Sequence, residues 1–174
     1  MSRLADKVDN GRRAFLHGAL LRREVREALG PAPPWHLEKL DVDLCRSCDG
    51  PCQTACGPGI IKRYSDGHLL SGLPYLNVEE TGCTFCAECV KACPMELDAD
   101  RTPPKLGQVK LDSGTCLGWN GVFCISCIGH CEHEAFTIDK RMRMQLDEEA
   151  CTGCGRCLAV CPNESLTFHL STVF

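Results

Sequence analysis

Sixteen cysteines stand in this chain of 174 residues, and they fall into four groups of four. The groups are Cys45, Cys48, Cys52, Cys56; Cys83, Cys86, Cys89, Cys93; Cys116, Cys124, Cys127, Cys131; and Cys151, Cys154, Cys157, Cys161. Thiolates are soft ligands that select zinc, copper(I) and iron–sulfur centres. A C-x2-C-x2-C loop is short enough to wrap three irons of one cubane, and its backbone N–H groups can turn toward the cluster sulfurs. The fourth cysteine of a C-x2-C-x2-C-x3-C-P run ligates the other cluster of a two-cluster protein. The second and fourth groups match that run without deviation, ending in Pro94 and Pro162. The first group widens its second gap to three residues. The third widens its first gap to seven by inserting Leu117-Gly118-Trp119-Asn120-Gly121-Val122-Phe123, and Gly57 and Glu132 take the place of the proline. Since no group has lost a cysteine, the pattern predicts four 4Fe–4S clusters.

Crossed ligation between adjacent groups predicts the ligand sets. Cluster one takes Cys45, Cys48, Cys52 and Cys93, and cluster two takes Cys83, Cys86, Cys89 and Cys56. Cluster three takes Cys116, Cys124, Cys127 and Cys161, and cluster four takes Cys151, Cys154, Cys157 and Cys131. A nested pairing of groups balances equally well. Tetrahedral zinc is the remote alternative; it wants two C-x2-C knuckles separated by a longer loop, which four tight runs suit poorly. A disulfide framework belongs to exported chains. His130 and His133 flank Cys131 but read as surface residues, since the cysteines already suffice. Trp119 and Phe123 read as cover that keeps water from a cluster.

The elements that must position these thiols show a repeat. Every cysteine of the second group recurs 68 residues later in the fourth, and Cys93-Pro94-Met95-Glu96-Leu97 answers Cys161-Pro162-Asn163-Glu164-Ser165-Leu166. Short β-rich runs separated by turn residues predict hairpins: Ile60–Arg63 with Tyr75–Val78, and Ala135–Ile138 with Met142–Leu146. After each fourth cysteine there is room for a turn or two of helix, started by Pro94 and Pro162. Residues 11–29 predict the one substantial helix, ended by Gly30-Pro31 and a stiff Pro33-Pro34-Trp35 spacer. The expected fold is α+β: two tandem 2[4Fe–4S] ferredoxin-like units, 43–106 and 107–174, preceded by a basic helical arm and Pro-rich linker over 1–42. Subtracting cysteine from the 44% hydrophobic fraction leaves about 35% as ordinary core material. Units this small need disulfides or metals to hold together.

Residues 1–40 carry eight Lys or Arg against five Asp or Glu, whereas residues 41–174 carry eleven against eighteen. A basic arm thus precedes an acidic body. No apolar run suits an export signal or the roughly 18 to 20 residues of a membrane span, so a soluble cytoplasmic protein is expected. No phosphate-cradling glycine loop and no nucleophile with partners stands outside the cysteines, so the sequence predicts neither an enzyme nor a nucleic-acid binder.

The arrangement resembles the NapF family, the ferredoxin-type accessory proteins of the periplasmic nitrate reductase system. The matching features are Gly11-Arg12-Arg13-Ala14-Phe15-Leu16, then Pro33-Pro34-Trp35, then the four groups in order, above all Cys116-x7-Cys124-x2-Cys127-x3-Cys131-Glu132. The resemblance implies a cytoplasmic iron–sulfur protein that assists maturation of the nitrate reductase catalytic subunit before export; its precursor would be the partner, beside possible redox partners. Related NapG proteins carry a twin-arginine signal with an apolar run. Arg12-Arg13 here stands without that run.

Overall fold

The computed structural model describes residues 28–36 and 39–170. The arm helix expected over 11–29 lies outside the described residues except at its very end. The regular elements are all short: α1 (Val42–Ser47), α2 (Pro51–Thr54), β1 (Ile61–Arg63), β2 (Pro74–Leu76), α3 (Glu88–Lys91), β3 (Gln108–Leu111), α4 (Ser126–Gly129), β4 (Phe136–Ile138), β5 (Met144–Leu146) and β6 (Leu166–His169). The first two helices have local causes. Asp41 caps α1, accepting from the Leu44 N–H at 2.9 Å, with Asp43 in the first turn and Arg46 in the last to suit the helix dipole. Pro51 starts α2, where no N–H is needed.

The helices sit inside the cysteine groups and not after them. Cys45 lies on α1, Cys52 on α2, Cys89 on α3 and Cys127 on α4. The helical turn expected after Cys93 and Cys161 is absent; Pro94 enters a bend and Pro162 a turn. After Cys161 only a turn and the left-handed Glu164 separate the cysteine from β6, which begins at Leu166, so there is no room for a helix.

Both expected hairpins form. β1 pairs antiparallel with β2, Ile61 opposite Leu76, and β4 pairs with β5, Phe136 opposite Leu146. A third ladder was not legible in the sequence: β3 pairs antiparallel with β6, from Gln108 opposite His169 to Leu111 opposite Leu166. Ile61, Leu76, Phe136, Met144 and Leu166 are buried while Lys62 and Thr137 face out, the period-two pattern of strands with one covered face.

The Pro-rich segment is not a free spacer. Pro31, Ala32, Pro33 and Pro34 are all buried, and the Pro31 carbonyl accepts from the Leu76 N–H at 2.7 Å along the outer side of β2. Proline has no N–H to offer a ladder but keeps its acceptor and an apolar ring, so the segment packs beside the hairpin as wall material.

Two cores meet across the repeat boundary. One gathers Ile60, Ile61, Leu76, Val78, Val90 and Leu106 round Cys52 and Cys89; the other gathers Val109, Ala135, Phe136, Met144 and Leu166 round Cys127, Cys151 and Cys157. Leu158 and Phe168 pack against both. Backbone bonds stitch the same seam: Cys83 N–H to Cys154 O at 2.8 Å and Leu106 N–H to Thr152 O at 2.9 Å.

Candidate metal centres

The cysteine loops take a backbone shape that a side chain resists. Phe85 and Ala87, in the second group, have φ of 52° and 59°. Their counterparts 68 residues later are Gly153 and Gly155, at 71° and 82°. The same two left-handed positions recur because the chain must reverse between successive thiols while keeping N–H groups on the inner side. Phe85 N–H accordingly points at Cys83 Sγ at 3.4 Å, and Gly50 N–H at Cys48 Sγ at 3.2 Å. A similar device follows the fourth cysteine. Glu134 and Glu164 are left-handed at φ of 51° and 50°, which carries the next N–H back onto sulfur: Ala135 to Cys131 Sγ at 3.4 Å and Ser165 to Cys161 Sγ at 3.2 Å.

Three cavities are ringed by thiols. Cys45, Cys48, Cys52 and Cys93 line the first, walled by Leu44, Pro51, Pro74, Pro94 and Met95. Cys56, Cys83, Cys86 and Cys89 line the second, walled by Trp35, Pro58, Ile60 and Leu76. Cys131, Cys151, Cys154 and Cys157 line another, with Val109 and Phe136 behind them. Each holds three cysteines of one group and the fourth cysteine of its neighbour. Cys116, Cys127 and Cys161 pack round the second core, and the turn after Cys161 is tied to the Cys116 segment by Asn163 Nδ2 donating to Thr115 O at 3.2 Å. Cys124 is close enough to Cys127 to raise its pKa.

The walls are apolar and the thiols feel it. Burial, reinforced by the neighbouring Cys93, Cys48 and Cys52, pushes Cys45 up to about 11, with Arg63 acting in the opposite direction. Burial and nearby cysteines likewise push Cys89 and Cys157 up to about 12. Clustered thiols with no cation among them stay protonated, whereas iron replaces those protons and removes the penalty. Dry walls, converging sulfurs and inward N–H groups fit a 4Fe–4S cubane.

His130 and His133 are exposed beside Cys131. His130 Nδ1 lies 2.9 Å from Ser126 O, and His133 meets Phe85 edge-on across the seam at 5.9 Å. Trp119 packs on the second core and donates to Met144 O at 2.8 Å, with Arg143 over its ring at 4.6 Å. Phe123, at the end of the seven-residue insertion next to Cys124, is 66% exposed and not packed as cover. Two residues escaped the sequence reading. Arg63 on β1 clamps the irregular first loop, donating to Cys45 O at 2.6 Å, Cys48 O at 2.7 Å and Gly72 O at 2.9 Å. His36, buried against the first cavity, is the other. Neither lies near a cysteine in sequence, so spacing carried no signal for them.

The chain is 31% identical to the ferredoxin-type protein NapF of Escherichia coli K12 over 166 residues, covering 92% of this chain and 95% of that protein. It belongs to the NapF family of ferredoxin-type proteins. A NapF of Haemophilus influenzae is 29% identical over 91% of this chain and 93% of its own length. The ferredoxin-type protein NapG of Escherichia coli K12 is 29% identical, covering 92% and 85%. Residues 110–168 also match a family described as a 4Fe-4S dicluster domain, a span that runs from β3 to β6. Ferredoxin-type proteins are typically electron carriers rather than enzymes, and sixteen cysteines are consistent with four clusters in this NapF-family chain. No helix among the described residues is long and apolar enough to cross a membrane.

Proposed function

We propose that the chain holds four 4Fe–4S clusters in two tandem ferredoxin-like units, 43–106 and 107–174, behind an arm over 1–42. It serves as a cytoplasmic accessory factor in maturation of the catalytic subunit of the periplasmic nitrate reductase. Cluster one takes Cys45, Cys48, Cys52 and Cys93; cluster two takes Cys56, Cys83, Cys86 and Cys89. Cluster three takes Cys116, Cys124, Cys127 and Cys161; cluster four takes Cys131, Cys151, Cys154 and Cys157. The observation that supports this most is the mixed lining of the cavities, three thiols from one group and one from the next. Bound clusters supply one-electron exchange. The chain's own residues exclude water with Trp35, Pro94 and Phe136, aim N–H groups at the thiol sulfurs, and hold the first loop through Arg63.

Anaerobically reconstituted protein is expected to contain about sixteen irons, four per cluster; half that amount would overturn the four-cluster assignment. For the partner, the basic charge of residues 1–40 against the acidic remainder suits electrostatic steering that weakens with salt. The test removes residues 1–27, sparing Leu29, whose N–H donates to the Tyr64 hydroxyl at 3.1 Å. A truncated protein with full iron that no longer captures the catalytic-subunit precursor supports the proposal, and unchanged capture places the contact elsewhere.

Electron carriage between redox partners is the second reading. The direct bond from Cys83 N–H to Cys154 O favours it, because it joins one thiol loop of each half without intervening side chains.

A further inference from the structure

His36 is a buried polar side chain whose partner is missing. It is 1% exposed, and neither Nδ1 nor Nε2 has a hydrogen-bond partner among the described residues. Buried polar groups in folded proteins are almost always bonded, so an orphan of this kind calls for an explanation. Its position is fixed by its neighbours and not by its own ring. The His36 N–H closes a turn onto Pro33 O at 2.9 Å, the prolines ahead of it are buried, and Trp35 Nε1 donates to Arg101 O at 2.9 Å.

His36 lines the cavity ringed by Cys45, Cys48, Cys52 and Cys93. Leu44, Pro51, Pro74 and Pro94 on the other walls offer no side-chain acceptor and Arg63 only donors, which leaves sulfur, that of the cysteines or the Met95 thioether. An imidazole, neutral or protonated, carries at least one ring N–H to donate. The second half lacks an equivalent. Nine residues before Cys116, where His36 stands before Cys45, the chain has Gly107, and any Cβ there would strike the Phe168 ring.

We propose that His36 donates its ring N–H to a sulfur of the cluster held by Cys45, Cys48, Cys52 and Cys93, and thereby raises the reduction potential of that centre. The inference rests on the four-cluster reading above. Reduction adds negative charge that the sulfurs share, so a donor aimed at them stabilises the reduced state more than the oxidised one.

The experiment compares full-length wild type, His36→Leu and His36→Gln, each reconstituted anaerobically. Iron is counted first: fewer than about sixteen irons in wild type sinks the cluster reading, independently of His36. Redox titration followed by electron paramagnetic resonance then tests the inference. In His36→Leu the reduced-to-oxidised ratio of one cluster at fixed potential is expected to fall about tenfold, the scale of one added hydrogen bond to a charged group. The other three hold their values, and His36→Gln, which keeps an N–H, recovers part of the loss. Unchanged potentials with full iron would overturn it. If His36→Leu fails to assemble, pulsed resonance on wild type grown with nitrogen-15 histidine decides. A weak nitrogen coupling with an exchangeable proton is expected; no coupling, or the strong coupling of an iron-bound imidazole, refutes the hydrogen bond.

Discussion

The two halves of the molecule carry the same thiol pattern on different frames. In the second half, β3 and β6 close the ends into a four-residue ladder and β4–β5 forms the hairpin. The first half has its hairpin, β1–β2, but among the described residues no ladder joins its ends. Where β6 follows Cys161, the corresponding chain after Cys93 accepts at Arg101 O from Trp35 Nε1, and buried prolines fill the space beside β2. The loops differ in the same sense. Gly153 and Gly155 take the left-handed positions without cost, while Phe85 and Ala87 adopt them at about 1–2 kcal/mol each. The first half therefore owes more of its integrity to its thiols and to the Arg63 clamp. A cluster loop needs only its local shape and a dry wall; several kinds of frame supply the wall.

The largest expected effect comes from breaking that dependence. Cys93→Ala should remove about four irons and strip hydrogen-exchange protection from β1 and β2 while β3 and β6 stay protected, because metal binding and folding are coupled in thin cores. Cys161→Ala should remove as much iron but leave more protection behind, held by the β3–β6 ladder. Equal loss of protection in the two variants would erase the contrast between the halves.

Next in size is Gly155→Ala. A Cβ there would lie 2.6 Å from Val78 Cβ at a φ of +82°, so strain and overpacking at the seam together should destabilise by about 2–4 kcal/mol. Anaerobic denaturation with separate probes in each half should show the transitions drifting apart. Arg63→Met should follow at about 1.5–3 kcal/mol, since it leaves the Cys45, Cys48 and Gly72 carbonyls without their charged donor. Arg63→Lys should not restore it, as a single ammonium cannot reach three carbonyls in a fixed fork; cluster-one release by chelator reads both. The smallest change is a gain. Ala87→Gly relieves a left-handed residue with little side chain to lose and should stabilise by about 1 kcal/mol, seen as a higher anaerobic Tm. At the matching position of the second half, Gly155, glycine already stands.

Sequence alone determined what depends on near neighbours. The gaps between cysteines fix which thiols share a loop, because a two- or three-residue spacer leaves the chain few ways to turn. Ile61, Leu76, Phe136 and Leu146 announced their hairpins by alternation across short connections. The NapF-family resemblance was legible for the same reason, as an ordered set of local gaps. Tertiary structure alone decided the rest. Val109 meets Phe168 across most of the second half, and no local pattern marks a pairing whose partners are brought together only when the loops between them have folded. Pro33-Pro34-Trp35 reads as a spacer because proline stiffens free chain, yet proline rings are also good apolar packing once a hairpin offers them a face. Phe123 read as cover from its hydrophobicity, but the inserted loop carries it into solvent. Crossed ligation predicts Cys93 beside Cys45, Cys48 and Cys52, whose cavity it lines, but that Arg63 reaches back to that loop and that His36 is buried against it follow from the fold alone. These two meetings join residues far apart in the chain, and they exist only where the folded backbone brings them together.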